Sequence, residues 1–234
     1  MSHIPNRTCC RRTRIAFTSV WICGALISVV SGRAYGQSPD SLEQSIAGAG
    51  RTGLHSFLDK IPQGKEEMYG FRSRTEFVRA SVGVPYRVYT IADSQLNDGN
   101  SLSDALHPLE EWRLPVTVDG QFRAMLTVSR TDGRWRAVDF GAAGLAKELG
   151  AFERQNASLL PMQRKGIVRL FSLHCDFVTL TRQSGIPEDF IFWPLTSARS
   201  ALQATGIVVN ERCSLRELLP LLQAGYAIQQ GSSH

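Results

Sequence analysis

Two Asp-Gly pairs constrain this chain more than any other feature. Asp119-Gly120 and Asp132-Gly133 each sit between β-rich runs, at 112–118, 121–129 and 134–140. Asp-Gly supplies the consecutive positive φ angles that a two-residue hairpin turn needs to match the twist of its strands. The spacing therefore predicts a three-stranded antiparallel meander over 112–140. Val116, Val118, Phe122, Met125, Val128, Trp135 and Val138 give it apolar material for at least one face. A lone meander is marginal in water, so a helix must cover it. Residues 142–154 are the expected cover, with Leu145, Leu149 and Phe152 spaced by four and three on one stripe.

The flanking segments predict helices and further strands. Residues 40–60 read as helical, opened by the pair Asp40-x-x-Glu43. Gly48, Gly50 and Gly53 predict a kink or two short helices there. Ser73-x-x-Glu76 and Ser214-x-x-Glu217 are capping-box signatures for two more helices. The second of these runs to about 227 with Pro220 inside it. Residues 197–205 read as a short helix, and 93–104 as a polar loop. Strands are expected at 85–91, with Arg87, Tyr89 and Ile91 on one face, and at 166–171, 173–181, 190–193 and 207–209. Grouped rather than alternating elements predict an α+β fold: an antiparallel sheet packed by helices, with a second small α+β segment at the C-terminus. The expected organisation is a leader at 1–36, a lobe at 37–155 containing the meander, and a lobe at 156–234, packed as one globular unit.

The first 36 residues predict export. Arg7, Arg11, Arg12, Arg14 and Arg33 accompany one apolar run at 15–32, and Ala34-Tyr35-Gly36 offers a small-x-small exit, with cleavage between Gly36 and Gln37. The expected location is periplasmic or extracellular. If the leader is retained instead, the run is just long enough to anchor the chain in a membrane. Removing the leader changes the charge. The chain has 26 basic and 21 acidic residues, and the leader takes five basic residues and no acidic one, leaving a neutral body. The apparent pI of about 9.1 thus belongs to the leader, and a nucleic-acid partner is not expected. Cys175 and Cys213 remain as an even pair in an oxidising compartment, which predicts one disulfide. It would be worth on the order of 3–4 kcal/mol in the chain-entropy account.

Apparent motifs reduce to structure when their context is weighed. Gly48-x-Gly50-x-x-Gly53 matches a dinucleotide fingerprint, but no strand precedes it, so a break between helices is expected and no cofactor. Asp139-Phe140-Gly141 lacks the other kinase segments. No metal site is expected: His107-x-x-Glu110-Glu111 is interrupted by Pro108. Ser172, His174 and Asp176 are the candidate catalytic residues, because period two places them on one face of a strand. A relay needs consecutive hydrogen-bond contacts, which parallel side chains about 6.5–7 Å apart do not make. The leading expectation is an exported, non-catalytic domain binding a protein or small-molecule partner through a sheet face. The alternatives are a small secreted hydrolase using His174 with Ser172 or Asp176, and a membrane-anchored accessory subunit.

Overall fold

The structure is a computed structural model and describes residues 39–98, 101–182, 186 and 189–231. The expected leader and its Gly36/Gln37 junction lie outside the described residues. The helices are α1 (Pro39–Asp59), α2 (Asp93–Asp98), α3 (Ala143–Gln155), α4 (Thr196–Ala204) and α5 (Leu215–Gly231). The strands are β1 (Ser81–Val82), β2 (Tyr86–Ile91), β3 (Leu106–Val118), β4 (Gln121–Thr131), β5 (Arg134–Gly141), β6 (Arg164–Leu170), β7 (Cys175–Thr181), β8 (Ile191–Pro194) and β9 (Cys213–Ser214). Among the described residues these strands form one mixed sheet ordered β5-β4-β3-β2-β6-β7-β8-β9, with β1 added to β3. Every pairing is antiparallel except β2 with β6. The class is α+β.

The two Asp-Gly turns adopt the geometry their residues favour. Asp119 and Gly120 have φ of 52° and 73°, and Asp132 and Gly133 have 50° and 73°. β3, β4 and β5 are thereby consecutive antiparallel neighbours. They do not stand as a separate three-stranded unit, because β2 extends them into the long sheet through its pairing with β6. That pairing also joins strands of the two expected lobes, 37–155 and 156–234, in one sheet.

One face of the sheet carries two separate helical layers. Arg87 lies opposite Trp112 on β3 and opposite Gly166 on β6, so all three share a face with Val168. On β3–β5 this face is covered by α1, through Ile46, Leu54 and Leu58 packed on Trp112, Leu114, Leu126 and Val128. On β6–β8 it is covered by α2, α4 and α5, which pack Leu96, Leu202, Leu218 and Leu222 on Val168, Phe177 and Phe192. The opposite face is covered by α3, through Leu149 and Phe152 packed with Met125, Ile167 and Val178.

Several expectations are corrected. α1 is one continuous helix with no break at its glycines. A Cβ on Gly50 would stand 2.5 Å from Leu114 Cδ2, and one on Gly53 would stand 2.3 Å from Ala137 Cβ. These glycines let the helix lie close against the sheet. Residues 93–98 are helical rather than loop, and His107, Glu110 and Glu111 lie on β3. There Glu110 pairs with Arg130 and Glu111 with Arg113, so the three do not converge on a metal. No strand forms at 207–209. Ser73 makes no side-chain cap, and Glu76 instead accepts the backbone N–H of Arg72. The second capping box does form: Glu217 Oε2 accepts from Ser214 N and Oγ at 2.7 and 2.8 Å, which holds the Glu217 carboxyl below its ordinary range.

The expected disulfide is also corrected. Cys175 and Cys213 are buried free thiols. Cys213 is paired with Phe192, which faces Thr179, four residues along β7 from Cys175. Two strand spacings and four residues of rise separate the cysteines by on the order of 15 Å, far beyond the ~7 Å limit for Cα atoms of a bridge. Burial, reinforced by Asp176, pushes the Cys175 thiol up to about 12; burial and Glu217 push Cys213 up to about 11. Protein kept under oxidising conditions and unfolded without reductant should therefore be labelled at both cysteines by a thiol reagent. Peptide mass mapping checks this, and a linked Cys175–Cys213 peptide contradicts it.

Candidate functional site

The strip between the two helical layers is a cleft. α1 ends its cover on β3, the α2–α4–α5 layer begins on β6, and β2 runs between them. The cleft has a volume of about 210 Å³ and is lined by Leu42, Glu43, Arg87, Tyr89, Trp112 and Arg164, with Lys165 at its edge. Strand alternation explains the lining. Arg87 and Tyr89 are two apart on β2, and Arg164 shares their face through Gly166. Gly166 leaves the floor open. A Cβ there would meet Tyr89 Cε2 at 2.8 Å, Thr179 Cγ2 at 2.9 Å and the Arg87 carbonyl at 3.1 Å.

Arg87 is the centre of this arrangement. Its guanidinium carbon lies 5.7 Å from the Tyr89 ring centroid and 5.8 Å from that of Trp112. Both distances fit cation–π contact and hold the group between two aromatic walls. Among the described residues its Nε is buried without a hydrogen-bond partner. A buried donor of a charged group is costly to leave unmet, and an acceptor placed on it removes that cost. Tyr89 is packed edge-on against Phe190 at 5.3 Å. Burial raises its hydroxyl above the ordinary tyrosine range, and the nearby charges of Arg87 and Arg164 partly offset this. The phenol therefore stays a neutral donor at physiological pH. Among the described residues neither arginine is in an ion pair. Lys165 points to the other face, where it pairs with Glu153 and lies 4.7 Å over the Tyr86 ring.

Two other cavities are less suited to binding. A groove of about 580 Å³ lies between the start of β4, Gly70 and α3, and carries Arg123, Lys147 and Arg154. Arg123 is committed to Glu76 at 2.7 Å, and Lys147 and Arg154 are exposed, where solvent and salt screen them. A third, of about 390 Å³, surrounds the β6–β7 turn with Arg169, Phe171, His174 and Asp176.

That turn holds the three candidate catalytic residues, and they do not share a strand face. β7 starts only at Cys175, so Ser172 and His174 lie in the turn at 171–174. His174 has a φ of 52°, in the left-handed region, and is exposed. Ser172 Oγ is buried without a hydrogen-bond partner among the described residues. Asp176 accepts from Arg169 Nε at 2.8 Å and receives nothing from His174 among the described residues. The expected run at 173–181 began two residues too early, because a four-residue turn of apolar and polar side chains reads like strand. Among the described residues no cluster of histidine, cysteine and carboxylate side chains could hold a metal ion. Comparison with protein-family models, curated proteins and solved structures finds no match for this chain.

Proposed function

We propose that this is an exported ligand-binding domain whose sheet-face cleft takes a small organic carboxylate. The observation that carries this reading is the pair Arg87 and Arg164, unpaired by any acid among the described residues, with Arg87 held between Tyr89 and Trp112 on the central strands. A guanidinium presents its donors in a planar fork that matches a carboxylate. Tyr89 adds a third donor, and the indole adds an apolar wall for the rest of the ligand. The volume of about 210 Å³ holds about seven waters at ~30 Å³ each, so the ligand is smaller than a drug-sized molecule. Rigid strands rather than loops carry Arg87, Tyr89, Trp112 and Arg164, which keeps the ordering cost of binding low.

Calorimetry with 4-methylpentanoate, 3-phenylpropanoate and benzoate tests this. At least one should bind, and Arg87→Met should weaken it at least about tenfold, the cost of losing a charged hydrogen bond. Binding that survives in the Arg87→Met, Arg164→Met double variant, or no binding of any of these acids and their α-amino counterparts, would overturn the proposal.

A further inference from the structure

Among the described residues the cleft contains one acid, and it is not used to neutralise the arginines. Glu43 lies on the first turns of α1 and lines the same 210 Å³ space as Arg87 and Arg164. Glu43 comes from the helix wall and Arg87 and Arg164 from two neighbouring strands of the floor, with Tyr89 beside them in the same lining. Yet among the described residues none of the three is in an ion pair. Opposite charges facing one small cleft without closing on each other leave room for a ligand that carries both signs.

We propose that the ligand is a zwitterion with its carboxylate and ammonium on neighbouring atoms, a free α-amino acid. This rests on the carboxylate reading above and adds the second pole. The carboxylate accepts from Arg87 Nε and from Arg164. The ammonium donates to the Glu43 carboxylate on the α1 wall. The side chain lies along Leu42 and the Trp112 ring. A purely anionic ligand would leave Glu43 facing a like charge, which disfavours it. A purely cationic ligand would face two arginines. The position of Glu43 also matters. It is carried by the helix wall while the arginines are carried by the sheet floor, so the two poles of the ligand are read by different elements.

Calorimetry on the full chain tests the second pole with matched probes. These are L-leucine, 4-methylpentanoate and 3-methylbutylamine, and L-phenylalanine with 3-phenylpropanoate. In the unmodified protein each amino acid should bind at least about tenfold more tightly than its deaminated acid, and the amine should not bind. Glu43→Gln should remove that preference while the deaminated acids bind as before or more tightly. Arg87→Met should weaken both members of each pair. Equal binding of amino acid and deaminated acid in the unmodified protein overturns the zwitterion and leaves the carboxylate reading intact. A Glu43→Gln variant that retains the preference, or weakens both members alike, also overturns it. If no probe binds, or Arg87→Met changes nothing, both proposals fall. Thermal melts of each variant separate lost binding from lost folding.

Discussion

Glu76→Ala should lower the free energy of unfolding by about 3–5 kcal/mol. Glu76 is 5 % exposed and holds two partners at once. One carboxylate oxygen accepts from Arg123 at 2.7 Å and the other from the Arg72 backbone N–H at 2.9 Å. Arg123 is itself largely buried, and its Nε already has no partner. It sits at a β-bulge, where Phe122 pairs with Thr117 and Ala124 with Val116, so the extra residue is turned out of the ladder toward the segment 66–80. Removing the acid therefore leaves an uncompensated buried guanidinium and an open amide. Urea unfolding with an unchanged m-value measures the loss. The pair Glu76→Leu, Arg123→Met should recover most of it, because burying neither charge costs less than burying one. A loss below 1 kcal/mol for Glu76→Ala would show that water reaches this pair.

Gly166→Val should cost about 1–3 kcal/mol or more through overpacking and should abolish ligand binding. Its first added atom meets Tyr89 Cε2, Thr179 Cγ2 and the Arg87 carbonyl, all within 3.1 Å. Thr179 is fully buried and cannot withdraw. Tyr89 can move only into the cleft, where it displaces the Arg87 guanidinium. A valine is otherwise well suited to a strand interior, so propensity alone predicts the opposite sign. Gly48 provides the comparison: no atom lies within 4 Å of a Cβ built there, and Gly48→Ala should stabilise α1 by about 0.5–1 kcal/mol. Equal effects at the two glycines would contradict the packing account.

The elements whose residues carry their own local instructions were legible. The Asp-Gly turns, the Ser214–Glu217 box and the α3 stripe depend on neighbours within a few positions, and they form where the sequence places them. The misread elements depend on partners far along the chain. Glycines at 50 and 53 look like helix breakers until Leu114 and Ala137 are known to lie against them. An even cysteine count says nothing about register, and register is what keeps Cys175 and Cys213 apart. The cleft shows both cases. Alternation over 85–91 already put Arg87 and Tyr89 on one face. That Trp112 and Arg164 join them follows from the β3–β2–β6 order, and that Glu43 does so follows from the packing of α1 on the sheet, neither of which local spacing encodes.

The central claim is where the ligand sits. Amide chemical-shift mapping of the full chain during titration with L-leucine locates it most directly. The shifts should saturate and centre on Arg87, Val88, Tyr89, Gly166 and the first turns of α1, and they should vanish in the Arg87→Met, Arg164→Met double variant. Shifts centred instead on the 580 Å³ groove, at Gly144, Lys147 and Arg154, or on the β6–β7 turn at Ser172 and His174, would contradict the account.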